Sequence, residues 1–130
     1  MVLFACRQNA GRSQMAAAWF NARADPRRAR ALSAGTQPAS RVHPPVVAAM
    51  REVGLDLSGA IPQALTPDLA ARAHWLITMG CGEACPMLPG VRAEDWPVDD
   101  PADRPADEVR AIRQTISARV EALIDREHWR

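Results

Sequence analysis

Lysine and tyrosine are both absent from the 130 residues, and cysteine occurs only three times. Without lysine, all 16 basic side chains are arginine. Beside so much alanine this reads as GC-rich coding, and clusters such as Arg27-Arg28-Ala29-Arg30 read as solvated surface. An ATP-type phosphate loop is excluded, because its Gly-Lys-Ser/Thr ending has no counterpart here. No apolar run approaches the roughly 20 residues that a membrane-spanning helix needs. The opening Met1-Val2-Leu3-Phe4-Ala5 is too short for a signal peptide and lacks a basic flank. A formal net charge of +1 is no nucleic-acid footprint. An odd count of three cysteines argues against a structural disulfide framework and for thiols kept reduced in the cytoplasm. Catalysis, metal binding and redox exchange remain open for them. A zinc site is disfavoured, since no second cysteine pair or histidine cluster completes four ligands.

What is present has the length of one domain, residues 1–130, with a hydrophobic fraction of 48% to fill its core. Val2 to Ala5 predicts a buried strand, and Met15, Ala18, Trp19 and Ala22 predict a helix from Ser13 that ends at Asp25-Pro26. Arg30 to Ser33 reads as a second strand, closed by the turn Ala34-Gly35-Thr36. Pro44 and Pro45 open a helix through Met50 and Val53, stopped by Gly54. Thr66-Pro67-Asp68 starts another helix, with a capping hydroxyl and proline at the first helical position. Trp75 to Met79 is the most strand-like run, and a short strand is expected to end near Trp96. Val109, Ile112, Ile116, Val120 and Leu123 form the apolar stripe of a last helix. Trp19, Trp75 and Trp96 read as core. Trp129 is placed on a fraying tail, and His43, His74 and His128 read as surface or packing residues.

Strands alternating with helices predict an α/β fold: an open, mainly parallel four-stranded sheet with helices on both faces, a three-layer sandwich. Ligands of such sheets bind at the carboxyl ends of the strands. Cys6, Cys81 and Asp100 each follow a predicted strand, so they converge on one edge.

The segment Cys6-Arg7-Gln8-Asn9-Ala10-Gly11-Arg12-Ser13 joins a strand to a helix. A tetrahedral oxyanion needs several converging donors, and a loop entering a helix N-terminus turns its amides inward. The backbone of Arg7, Gln8, Asn9, Ala10, Gly11 and Arg12 is thus the expected oxyanion cradle. Gly11 offers backbone angles that other residues resist. Arg12 binds two anion oxygens with its planar fork. The same amides and the helix dipole favour the ionised sulfur, which makes Cys6 a ready nucleophile. Ser13 is placed to donate to that sulfur, and Asn9 braces the loop.

The stretch CRQNAGRSQM, Cys6 to Met15, resembles the active-site loop of the low-molecular-weight protein tyrosine phosphatase fold. Its Gln14-Met15-Ala16 continuation resembles the arsenate reductase branch. Ser33-Ala34-Gly35-Thr36, Val53-Gly54-Leu55-Asp56-Leu57-Ser58, Ile77-Thr78-Met79-Gly80-Cys81 and Asp99-Asp100-Pro101 resemble the same family in the same order. This resemblance implies that Asp100 is the general acid, with Asp99 a neighbour. It also implies a relay in which Cys6 forms the arsenic adduct, Cys81 attacks Cys6, and Cys85 attacks Cys81. Thioredoxin or another thiol reductant then restores the thiols. Gly80 and Gly82 flank Cys81 and let the segment move. Three residues separate Cys81 from Cys85, fewer than in the well-known thioredoxin-coupled members. A disulfide there requires a bend that brings the α-carbons within about 7 Å. Arsenate reduction is therefore the leading expectation, with no cofactor and no resident metal. Phosphomonoester hydrolysis through a Cys6 phosphoenzyme is the alternative, and a non-catalytic thiol protein that binds arsenite or a soft metal is a third. The missing tyrosine removes the aromatic lip that tyrosine phosphatases place beside the acid, which favours an inorganic substrate.

Overall fold

A computed structural model of the chain describes residues 1–80 and 90–130. Strand β1 (Val2–Cys6) is buried along its whole length. It pairs in parallel with β2 (Ala31–Gly35) on one side and β3 (Trp75–Thr78) on the other. β3 pairs in parallel with β4 (Arg92–Asp95), giving the order β2-β1-β3-β4. The alternation of side chains along a strand divides β1 between two apolar layers. Val2, Phe4 and Cys6 join the larger layer, beneath α1 (Arg12–Arg23), α2 (Pro44–Arg51) and α4 (Ala106–Arg126). Leu3 and Ala5 join the smaller layer with Leu69 and Ala70 of α3 (Pro67–Ala71). The expected three-layer parallel α/β sandwich is the observed one.

The stripe Val109, Ile112, Ile116, Val120 and Leu123 on α4 is buried throughout. Thr66 caps α3 as anticipated, its hydroxyl accepting from Leu69 N at 3.1 Å, an interaction worth about 1 kcal/mol. The largest shifts in extent are at β2 and α2. β2 starts at Ala31 and runs on to Gly35 because it stays paired with β1 up to Cys6. α2 ends at Arg51 rather than near Val53, and Gly54 follows with a φ of 81°.

Trp129 is not on a frayed tail. Its ring packs edge-on against Phe20 and Trp75, with centroids 5.8 and 5.9 Å apart. Its carbonyl accepts from Asp25 N at 2.7 Å. Arg92 and Arg126 lie over the Trp75 ring, and together these contacts fasten the C-terminus beneath the sheet. Trp75 and Trp96 are buried as expected, whereas Trp19 is only partly so and donates from Nε1 to Glu121.

Glu52, just past α2, ties that helix to α4. Arg110 donates to it from Nη2 at 2.7 Å and Arg113 from Nη1 at 2.8 Å. These bonds, from Arg110 first and then Arg113, pull the carboxyl from its ordinary 4.5 down to about 2. A carboxylate lowered in the folded state contributes stability above its unfolded pKa, and that contribution is lost as pH falls through the folded value. Glu52→Gln is therefore expected to flatten the decline of Tm between the two values, 4.5 and about 2. Thermal denaturation across that window is the check, and a curve parallel to the wild type refutes the assignment.

Candidate functional site

The residues that connect β1 to α1 form the site, at the carboxyl edge of the sheet. The loop is held from outside by its carbonyls. Cys6 O accepts from Thr36 N, Arg7 O from Gln37 N, Gln8 O from Ala39 N and Ala10 O from His43 N, at 2.7 to 3.1 Å. Asn9 O accepts from the side chain of Gln14 at 3.1 Å. In a trans peptide the N–H points opposite to the C=O. Tying five successive carbonyls outward therefore turns the amides of Arg7, Gln8, Asn9, Ala10 and Gly11 to the concave side. The amide of Asn9 is seen there, donating to Cys6 Sγ at 3.3 Å.

Gly35 lets this loop lie down on the end of β2. A Cβ at that position would come within 2.6 Å of Arg7 O and 2.8 Å of Asn9 N. The left-handed residue of the loop is Asn9, with a φ of 50°, a conformation that asparagine tolerates better than most. Gly11 has a φ of −143° and a ψ of −92°, and its missing side chain also supplies space. A Cβ there would meet Pro101 Cγ at 2.7 Å, so the loop packs directly against the segment that carries Asp100.

Cys6 is buried, with 2% of its surface exposed. Ser13 Oγ lies 2.8 Å from its sulfur, where the sequence placed a donor. Asn9 braces the loop as anticipated, donating from Nδ2 to Ser13 Oγ at 2.8 Å. The Arg12 side chain is enclosed. Nη1 donates to Val98 O at 3.1 Å, and Nη2 lies 3.6 Å from Asp100 Oδ2. Asp100 is half-exposed and splits its carboxylate: Oδ1 accepts from Ala102 N, closing the turn, while Oδ2 faces the guanidinium. Asp99, expected only as a neighbour, is exposed. The arrangement brings a thiol, five inward amides, a guanidinium fork and a carboxyl to one place. Those are the parts needed to seat a tetrahedral oxyanion, attack its central atom and protonate a departing oxygen.

Cys81, Cys85 and Gly82 lie outside the described residues. Gly80, the last residue before them, has a φ of 91°, and a Cβ there would overlap Arg12 Nη1 and stand 3.0 Å from its Cζ. Gly80 thus abuts the Arg12 guanidinium, a contact that sequence reasoning missed. It also missed Gln63, whose backbone N–H donates to Asn9 Oδ1 at 2.9 Å and whose side chain donates to Ser33 O at 2.8 Å. Of the histidines, His74 pairs its Nδ1 with the amino terminus at 2.9 Å. Among the described residues no group of three His, Cys, Asp or Glu side chains is gathered to hold a metal ion.

Comparison with known proteins agrees with the geometry. Residues 1–128 match the model of the low molecular weight phosphotyrosine protein phosphatase family. The chain is 40% identical over 127 residues to a putative arsenate reductase of Halobacterium salinarum, covering 94% of this chain and 89% of that one. A thioredoxin-dependent arsenate reductase of Corynebacterium glutamicum superposes with a TM-score of 0.83 at 39% identity, over 95% of this chain and 59% of that protein's length. An arsenate reductase solved in a phosphate-binding state superposes with a TM-score of 0.83 at 32% identity, covering 96% of both chains. The chain belongs to the low molecular weight phosphotyrosine protein phosphatase family.

Proposed function

We propose that the protein reduces arsenate to arsenite with electrons from its own thiols. The observation that carries this reading is the seat of Cys6, a buried sulfur facing the Asn9 amide and Ser13 Oγ in a loop shut by Arg12. Relatives that match nearly all of this chain and are named arsenate reductases support the substrate. The chemistry balances over three cysteines. The Cys6 thiolate attacks arsenic(V), forming an S–As bond as a protonated oxygen leaves as water, with Asp100 as proton donor. The Cys81 thiolate then attacks the Cys6 sulfur. An S–S bond forms, the S–As bond breaks, and its electron pair stays on arsenic, which departs as arsenite. The Cys85 thiolate attacks Cys81 and frees Cys6. The contact of Gly80 with Arg12 supports a start of this relay beside the oxyanion. Thioredoxin or another thiol reductant reduces the final disulfide, which places the enzyme in the reducing cytoplasm.

Arsenate-dependent NADPH consumption, measured in turn with thioredoxin, glutaredoxin and low-molecular-weight thiol systems, tests the proposal. One arsenite formed per NADPH is expected with at least one of them. The second reading, phosphomonoester hydrolysis by the same loop, is favoured by the Asp100–Arg12 pair, which equally serves a phosphate ester. Rapid cleavage of an aryl phosphate with no arsenate consumed under any donor replaces the first reading with the second. Arsenite binding without turnover of either substrate leaves only the non-catalytic thiol protein that binds arsenite or a soft metal.

A further inference from the structure

Ser13 Oγ and Cys6 Sγ, 2.8 Å apart, each carry a hydrogen when neutral, so their contact alone does not fix which one donates. The groups behind Ser13 fix it. Asn9 presents one end of its carboxamide to Ser13 Oγ at 2.8 Å, and the other end faces the backbone N–H of Gln63 at 2.9 Å. A backbone N–H only donates. The end that faces Gln63 is therefore Oδ1, and the end that faces Ser13 is Nδ2.

Gln14 imposes the same orientation independently. Its amide nitrogen lies 3.1 Å from Asn9 O and 3.2 Å from Asn9 Oδ1. A main-chain carbonyl only accepts, so Gln14 must turn its NH2 toward residue 9, and that NH2 carries a hydrogen for each oxygen. Two donors from different parts of the chain thus grip the oxygen of Asn9. Its NH2 then occupies a lone pair of Ser13, and the single hydroxyl proton is left to the sulfur. Cys6, Asn9, Ser13 and Gln14 are all at least nine-tenths buried, so water does not scramble the directions.

We infer that Gln14 is a positioning residue which, with the Gln63 backbone, polarises this chain of hydrogen bonds so that it ends in a donor at the Cys6 sulfur. The inference rests on Cys6 as the nucleophile, not on arsenate as the substrate.

Alkylation of Cys6 by iodoacetamide, followed across pH by peptide-resolved mass spectrometry, tests it without an oxyanion. Gln14→Met keeps the side-chain length and removes both donors. One net hydrogen bond is worth about a factor of ten at most, so Gln14→Met is expected to slow alkylation near neutrality roughly fivefold. The profile should move toward alkaline pH with its plateau kept. Ser13→Ala should slow it at least as much, and adding Gln14→Met to Ser13→Ala should change nothing more. An unmoved profile in Gln14→Met overturns the inference, as does an effect that persists in full without Ser13. Should Gln14→Met fail to fold, Gln14→Leu decides. It likewise offers no hydrogen to Asn9 and adds no charge beside the sulfur. Alkylation slowed toward the Ser13→Ala rate supports the inference, and a wild-type rate overturns it. An aryl phosphatase that never reduced arsenate would give these same results, so the two proposals fail separately.

Discussion

Gly80→Ala is expected to weaken oxyanion binding by about 10- to 100-fold, seen as a rise in KM for arsenate and in the inhibition constant for phosphate, since a charge-assisted bidentate hydrogen bond contributes about 1.5–3 kcal/mol. The new methyl would fall on the Arg12 guanidinium, overlapping Nη1 and touching Nη2 at 3.3 Å. That group has little room to retreat, because Val98 O holds it from one side and Asp100 faces it from another. Either the fork swings off its axis or the backbone at Gly80 shifts, and the φ of 91° already disfavours any side chain there. Strain alone is separable from the clash. Gly54 also has a positive φ, of 81°, but nothing within 4 Å of its would-be Cβ. Gly54→Ala should therefore lower Tm and leave KM alone. Combining Gly80→Ala with Arg12→Ala should weaken binding no further than Arg12→Ala by itself. A Gly80→Ala enzyme with unchanged KM would show that the fork tolerates the methyl.

How far this site was legible before the structure depended on how local each signal was. The loop from Cys6 to Ser13 was readable because strand, loop and helix succeed one another within a few residues, and each leaves its own pattern. The cap at Thr66 and the stripe on α4 were readable for the same reason. Gln63 was not. It reaches Asn9 across 54 positions of sequence through the lone bridge between Gly35 and Ala64, and a glutamine after Pro62 carries no mark of that. The Gly80–Arg12 contact is equally non-local, and a glycine before a cysteine reads as freedom when it is in fact space for a neighbour. Within the loop Asn9 takes the left-handed angle, which no local pattern around it marked. Trp129 was misjudged because position near a terminus says nothing of burial, and its partners Phe20 and Trp75 come from two other elements.

Cys81→Ser and Cys85→Ser should divide the proposed relay at different points, with larger effects than any change to the loop's bracing. Reduction of arsenic(V) takes two electrons, and Cys6 alone, once bonded to arsenic, has no partner sulfur to close an S–S bond. Cys81→Ser is thus expected to form no arsenite, while aryl phosphate hydrolysis, which needs only Cys6 and a proton donor, survives. Cys85→Ser retains the first exchange and lacks the second. It should release one arsenite per protein, lose two thiols, and stop with Cys6 and Cys81 joined. Cys6→Ser should lose both activities. Rapid quenching with arsenite quantification and a thiol count distinguishes these cases. Sustained turnover by Cys85→Ser with thioredoxin would mean that the reductant attacks the Cys6–Cys81 bond directly. Sustained turnover by Cys81→Ser with a small thiol would mean that an external sulfur attacks the Cys6 adduct. Thiolate exchange is governed by access and by the leaving sulfur. Which variant still turns over therefore identifies the sulfur that an outside thiol can reach.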